Sequence, residues 1–102
     1  MSEANRTELS GRISELGALR HTPAGVPVIE FHIRHESEHT EAGATRQVRA
    51  EVDAIAFEAQ ARLVAGRPPG SKVRIEGFLC AKSKRSRKLL LHVTHIEFIE
   101  GV

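Results

Sequence analysis

The segment of this sequence best suited to chemistry is a run of positive charge. Residues 82–88 read Lys-Ser-Lys-Arg-Ser-Arg-Lys and hold five of the fifteen Lys and Arg residues, with no acid among them. The other ten basic residues face all thirteen acidic ones, so the rest of the chain sums to −3 (10 − 13). A concentrated cationic segment on a mildly acidic body attracts polyanions such as the phosphates of nucleic acids.

Arginines outside this run can add to such a surface. An arginine pairs with phosphate and also stacks its planar guanidinium on a base. The alternatives are a merely solvated hairpin tip for the run and, for each single arginine, cross-strand pairing with Glu30, Glu36 or Glu51. The predicted residues for binding single-stranded nucleic acid are Arg20, Arg34, Arg46, Arg49, Lys82, Lys84, Arg85, Arg87 and Lys88.

Aromatic platforms for bases are scarce, because the chain has four Phe and neither Trp nor Tyr. Phe31 and Phe57 fall on apolar faces and are predicted to be core residues, whereas Phe78 and Phe98 are candidates for exposure. Stacking on an aromatic ring contributes roughly 1–3 kcal/mol per base. With few such rings, we expect binding led by charge, of modest affinity and with a steep salt dependence.

Neither a metal site nor a catalytic site is predicted. His32 and His35 are three residues apart, as are His92 and His95, a spacing that places the members of each pair on opposite faces of a strand. No cysteine joins them, and the chain has a single aspartate, Asp53. Nucleophile elbows, glycine-rich phosphate loops and HExxH patterns are absent from the sequence. We therefore expect a binding protein without a cofactor, not an enzyme.

Composition predicts one small cytoplasmic domain. The 102 residues, 40% hydrophobic and 27% charged, fit a single domain spanning 1–102. No apolar run approaches the roughly 20 residues that span a bilayer, and the first residues lack the features of a secretory signal. The lone Cys80 excludes an intrachain disulfide and is typical of a reducing compartment.

The elements that must position the charges are mostly strands, because the dominant hydrophobic period is two. A first strand spans 7–16 with a bend at Gly11, and the turn formers of 22–27 separate it from the clearest strand, 28–35. The polar segment 37–45 is predicted to be a loop, followed by a strand over 47–52.

The second half of the chain begins with a longer period. It predicts a helix over 54–64 that ends at Gly66. A strand over 72–79, interrupted by Gly77, precedes the basic loop at 81–88. The last strand spans 89–99 and shifts its alternation near His95, which predicts a bulge.

Five strands with one short helix between the third and the fourth are typical of an OB-fold, an all-β Greek-key barrel. An SH3-like barrel also has about five strands but lacks a helix in that position. In an OB-fold, the loop between the fourth and fifth strands flanks the nucleic-acid groove. The basic residues therefore fall where a ligand-binding loop is expected.

At this point the sequence resembles the PriB family (primosomal replication protein N), itself close to bacterial single-stranded DNA-binding protein. The similarity spans nearly the whole chain. The residues that carry it are Asn5-Arg6, Leu9-Ser10-Gly11, the turn Thr22-Pro23-Ala24-Gly25-Val26-Pro27, Phe31 to His35, Glu41-Ala42-Gly43, Arg46-Gln47, Pro69-Gly70-Ser71 to Gly77-Phe78, Leu91-His92 and Ile96-Glu97.

The resemblance implies an OB-fold homodimer that binds single-stranded DNA during restart of stalled replication forks, with the PriA helicase and other primosome components as partners. The family's basic loop matches Lys82, Lys84 and Lys88, and its basic position before the first turn matches Arg20. The chain departs from the family at Ala44 and Arg49, where members can carry aromatic residues, and at Glu36, near a basic site.

Two other functions stay open on the residues alone. One is a protein–protein adaptor whose OB-fold surface mainly contacts another protein, with DNA a weak secondary ligand. The other is an RNA-binding OB module.

Overall fold

The computed structural model describes residues 2–99. They form six strands and one helix: β1 (Thr7–Leu16), β2 (Arg20–His21), β3 (Pro27–Glu41), β4 (Ala44–Phe57), α1 (Glu58–Ala65), β5 (Lys72–Ala81) and β6 (Leu89–Phe98). The two-residue β2 is only an appendage to β3, with Arg20 opposite Val28. The predicted architecture of five main strands and one short helix is therefore confirmed.

The five long strands close into a barrel. Their order is β1-β5-β6-β4-β3, and β3 returns to pair with β1. β1 closes the barrel because its first half pairs with β5, over residues 7–12, and its second half pairs with β3, over residues 12–16. β4 and β6 pair in parallel, with residues 54–56 opposite 91–93. This closure fixes which side chains point into the core.

The barrel interior is filled by alternate residues of the strands, as the period of two requires. α1 adds Ala61 and Val64 to one side of this core. Core residues from the strands are Ile13, Ile29, Phe31, Ile33, Ala54, Ala56, Val73, Ile75, Leu91, Val93 and Ile96. Within the described residues, no side chain with a charged or polar group is buried, so the charged groups all lie on the outside of the barrel.

The predicted bulge in the last strand and the two mid-strand glycines all have a visible structural cause. In β6, the pairing with β5 passes from His95 to Val93 and skips Thr94, which confirms the bulge expected near His95. Opposite it, a Cβ on Gly77 would overlap the carbonyl oxygen of His92, and one on Gly11 would crowd that of Arg34. The two mid-strand glycines are therefore required by close backbone approach.

The predicted loop at 37–45 is wrong. β3 runs to Glu41 and β4 starts at Ala44, so the two strands form one long hairpin that pairs from Val28–Phe57 to Glu41–Ala44. At its tip, Ala42 and Gly43 both have positive φ (51° and 79°), as in a two-residue type I′ turn. The outer part of the hairpin is solvated on both faces. Residues 37–45 therefore carry no apolar alternation to detect.

The predicted helix over 54–64 starts too early. Residues 54–57 belong to β4, and α1 begins only at Glu58 and ends at Ala65, with Gly66 as its C-cap. Ala54 and Ala56 are core residues of the strand, where small apolar side chains fit either element.

Within residues 2–99, no helix is long and apolar enough to cross a membrane.

Candidate nucleic-acid interface

The basic loop, predicted at 81–88, comprises residues 82–88 because β5 runs through Ala81, and it connects β5 to β6. Its base is closed by a backbone hydrogen bond from the Lys82 N–H to the Lys88 carbonyl (3.0 Å). Two serines shape its interior, since Ser86 donates its N–H to the Ser83 carbonyl (3.2 Å) and its hydroxyl accepts the Lys88 N–H (3.0 Å). These local bonds make the loop a compact turn. All five of its cationic residues are exposed.

One cation of the loop is paired with an acid. Lys82 Nζ lies 2.5 Å from Oδ2 of Asp53, which is on the outward side of β4. Among the described residues, Lys84, Arg85, Arg87 and Lys88 have no carboxylate within ion-pairing distance. The loop therefore presents four uncompensated positive charges to the solvent beside the β4 strand.

Asp53 is held in its charged form by these neighbours. The hydrogen bond from Lys82 lowers the pKa of the Asp53 carboxyl, and the charges of His32 and Lys82 act in the same direction against the opposing effect of burial. His32 Nδ1 is 2.5 Å from Asp53 Oδ1. The carboxylate therefore links β3, β4 and the basic loop.

A second set of predicted residues lies on the hairpin face, which we define as the outward side of β3 and β4 from Val28 and Phe57 to Glu38 and Gln47. Here each arginine faces a carboxylate. Arg34 is 3.4 Å from Glu51, and Arg49 is 3.6 Å from Glu36. Acids on this face, Glu30, Glu36, Glu38, Glu51 and Asp53, outnumber its arginines. The hairpin face is therefore not a positive surface.

The two remaining predicted arginines are also paired. Arg20, in β2, lies 3.0 Å from Glu30 on the hairpin face. Arg46 lies near the hairpin tip on the opposite face, 3.7 Å from Glu41. The cross-strand pairing considered as an alternative for the arginines is thus present at Arg20, Arg34 and Arg49. These exposed pairs are weak, each worth about 0–1 kcal/mol.

The basic loop and the hairpin face meet in space. Lys88 and Leu89 line a cleft of about 450 Å³ together with Glu51, Val52 and Asp53 of β4. On the same hairpin, a cleft of about 380 Å³ is lined by Arg34, Glu36, Arg49 and Glu51 among its residues. The structure therefore brings Arg34, Arg49 and the loop to one side of the molecule, while Arg46 lies apart on the other face of the hairpin.

Sequence reasoning missed an aromatic stack on the outside of the barrel. The His92 ring lies between those of Phe78 (centroids 5.0 Å apart) and Phe57 (6.1 Å). The prediction that Phe57 is a core residue is wrong, because Phe57 is 36% exposed and Phe78 is 38% exposed. The strand period would have placed Phe57 on the outside, because Phe57 must point outward when Ala54 and Ala56 point inward.

This stack continues into an apolar stripe. Val28, Ile55 and Leu90 form a small cluster separate from the barrel core, on the outward side of β3, β4 and β6. Leu89, at the end of the basic loop, is more than half exposed. Leu89 falls on the other face of β6 from Leu90, so the apolar stripe is defined by Val28, Ile55 and Leu90 with Phe57, Phe78 and His92, and it runs outside the barrel across β3, β4, β5 and β6.

The histidines do not assemble a metal site. In the part of the chain that the structure describes, no group of three or more His, Cys, Asp or Glu side chains is arranged to hold a metal ion. His35 instead bonds to the Ser10 carbonyl through Nδ1 (2.7 Å) and to the Ser37 hydroxyl through Nε2 (2.7 Å). His39 Nε2 contacts the same hydroxyl (2.8 Å). His35 thus ties the hairpin to β1.

Comparison with known proteins places this geometry in a family. Residues 5–95 match the model of a family described as another single-strand binding protein family. The replication restart protein PriB of Bordetella pertussis is 43% identical over 97 residues, which cover 95% of this chain and 91% of that protein. PriB of Nitrosomonas europaea is 38% identical over 95 residues, covering 93% and 88%.

Solved structures agree. PriB from Ralstonia solanacearum superposes with a TM-score of 0.84 at 28% identity, covering 95% of this chain and 100% of that one. The single-stranded DNA binding protein from Thermus aquaticus has the same fold, with a TM-score of 0.76 at 22% identity over 96% of this chain and 51% of that one. With relatives above 30% identity over nearly its full length, the chain belongs to the PriB family of replication restart proteins.

Proposed function

We propose that this chain binds single-stranded DNA, as a homodimer, and recruits or stimulates the restart helicase PriA in the cytoplasm. The observation that carries the proposal is the exposed basic loop, in which four of five cations face no acid among the described residues. The relatives named for replication restart and the family described as single-strand binding support it. Cations on a compact loop can bind successive phosphates without reading the sequence of the bases.

The loop is the main contact, and Arg20, Arg34, Arg46 and Arg49 are secondary. Each of these arginines must exchange a carboxylate for a phosphate in order to bind DNA. That exchange reduces the gain in DNA-binding free energy, because the arginine charge is already partly compensated by the carboxylate. A charge-led contact of this kind weakens steeply as salt is added, since binding releases counterions from the strand.

The proposed function is tested by titrating the protein into fluorescently labelled oligo-dT at a series of salt concentrations and following anisotropy. We expect saturable binding whose log Kd rises linearly with log salt, and stronger binding to the single strand than to a duplex. Failure to bind oligo-dT at about 50 mM salt, where electrostatic contacts are strongest, would contradict the proposal. Competition between matched DNA and RNA strands tests the RNA-binding alternative.

A homodimer is supported by an open strand edge. β1 pairs with β3 only from Arg12 onward, so residues 7–11 pair on one edge with β5 and have no described strand on the other. Such an edge is a template for pairing with a second chain. Light scattering should give a mass about twice the 11.2 kDa of the chain. A monomeric mass would remove this part of the proposal.

The second candidate is a protein–protein adaptor, and the apolar stripe favours it. Exposed aromatic groups on a small domain are typical of interaction surfaces. The discriminating variant is F78Q, which changes a residue of the apolar stripe. F98Q does not serve as its control, because Phe98 packs partly against the core. If F78Q abolishes helicase stimulation while oligo-dT binding is undetectable in the wild type, the adaptor is the main function. If the wild type binds oligo-dT tightly, the DNA-binding proposal stands.

A further inference from the structure

Asp53 lies where the basic loop meets the body of the barrel. Its Oδ2 atom is 2.5 Å from Lys82 Nζ, and its Oδ1 atom is 2.5 Å from His32 Nδ1. On the far side of the imidazole, His32 Nε2 is 3.4 Å from Glu15 Oε2. These side chains line a cleft of about 320 Å³ between β1, β3, β4 and the loop. Asp53 thus contacts both the loop and the barrel wall.

This contact makes Lys82 different from the other cations of its loop. Only 35% of the Lys82 side chain is exposed, and its charge is compensated by a carboxylate at hydrogen-bond distance. A phosphate that approaches Lys82 must displace Asp53 or share the ammonium with it. Lys84, Arg85, Arg87 and Lys88 meet no such competitor among residues 2–99. The charge that the loop offers to a polyanion is therefore closer to +4 than to +5.

We propose that Asp53 is a positioning residue of the DNA-binding surface: it competes with phosphate for Lys82 and holds the first residue of the basic loop against β4. The other four cations then project outward and bind the phosphates. The DNA readout of this inference rests on the proposed function, whereas the Asp53–Lys82 contact itself can be measured without DNA.

Replacing Asp53 with an uncharged residue should therefore raise the affinity for oligo-dT. In single-strand binding, each phosphate contact changes the slope of log K against log salt by about 0.7. D53N releases Lys82, so we expect the salt slope to become steeper by about 0.7 and oligo-dT affinity at about 0.1 M salt to rise roughly fivefold. E58Q removes the same charge from an exposed residue at the start of α1, which forms no ion pair with a predicted binding residue among residues 2–99, and it is the matched control for charge.

A double-mutant cycle of D53N, K82Q and the double variant shows whether Lys82 is responsible for the gain in oligo-dT affinity. K82Q alone should change the slope little, because Lys82 is already occupied, and K82Q in the D53N background should remove the gain. A K82Q variant that flattens the slope by the full 0.7 would overturn the proposal. So would a D53N variant whose slope becomes shallower, since Asp53 would then be aiming Lys82 at the DNA.

A second measurement needs no DNA. In limited acetylation followed by mass spectrometry, Lys82 should react more slowly than Lys84 and Lys88 in the wild type, and at a similar rate in D53N. Equal rates for the three lysines in the wild type would overturn the inference. If oligo-dT does not bind at all, the proposed function fails, and the acetylation pattern still decides whether Asp53 holds Lys82. Thermal unfolding of each variant establishes that it is folded.

Discussion

The basic loop and the hairpin face each carry several cationic side chains, and they differ in what stands opposite those charges. On the hairpin face, the pairing of β3 with β4 sets Arg34 opposite Glu51 and Arg49 opposite Glu36. In the loop, the chain turns away from its neighbours, and of its cations only Lys82 reaches an acid among residues 2–99. The number of cations in a region is therefore a poor guide to the electrostatic potential that the region presents. The strand register decides which charges stay available.

The largest effect is expected from removing the available charges. In K84Q/R85Q/R87Q/K88Q, four phosphate contacts are lost, so the salt slope of oligo-dT binding should become shallower by about 3 and affinity at about 0.1 M salt should fall by a factor on the order of 10²–10³. The control R6Q/R62Q/R67Q/R74Q removes the same net charge from residues outside the basic loop and outside the clefts that Arg34 lines. Equal losses of oligo-dT affinity in both variants would show that only the net charge of the protein matters. The basic loop would then not differ from other charged parts of the surface.

An intermediate effect is expected from exposing the paired charges. E36Q/E51Q removes the carboxylates that face Arg49 and Arg34 and leaves the arginines in place. Two further phosphate contacts would make the slope steeper by about 1.4 and raise affinity at about 0.1 M salt roughly 25-fold. E3Q/E58Q changes net charge equally on exposed residues outside the hairpin. A gain as large in that control would mean that the arginines take no part.

A small effect is expected from removing the paired arginines themselves. Because Arg34 and Arg49 are already compensated, R34Q/R49Q should lower oligo-dT affinity less than about threefold and leave thermal stability nearly unchanged, since an exposed ion pair contributes about 0–1 kcal/mol. The same titration measures it. If the loss matched that of the four-residue loop variant, the hairpin face would be the principal binding surface and the ion pairs would be broken by DNA.

The fold followed from the sequence wherever one strand face is buried. Ile29, Phe31 and Ile33 alternate with polar residues because the barrel core lies on one side of β3 only. The same strand continues for six residues beyond His35 without any alternation, since both of its faces meet solvent there. Apolar periodicity reports burial and not strand structure, so the outer hairpin was predicted to be a loop.

The candidate site was predictable in part for the same reason. The charges of the basic loop are a local property of seven consecutive residues, and the sequence displays them directly. The partners of Arg34 and Lys82 depend on register across strands, which no local pattern records. The aromatic stack joins Phe57, Phe78 and His92 from three strands, so it becomes visible only when β4, β5 and β6 are placed side by side.

The smallest expected effect concerns the ion pair between Asp53 and Lys82, which joins the two regions. The folded-state pKa of Asp53 lies below its ordinary value of 3.8, chiefly because Lys82 donates a hydrogen bond to the carboxylate. A carboxyl with a lowered folded pKa contributes stability that is present above the unfolded pKa and is lost as pH falls through the folded value. Thermal unfolding followed by circular dichroism at pH 7, 4 and 2 should therefore show that the wild type loses more stability than D53N between about pH 4 and 2. A parallel decline in both proteins would mean that Lys82 does not hold Asp53 in solution, and the hairpin face and the basic loop would then be independent surfaces.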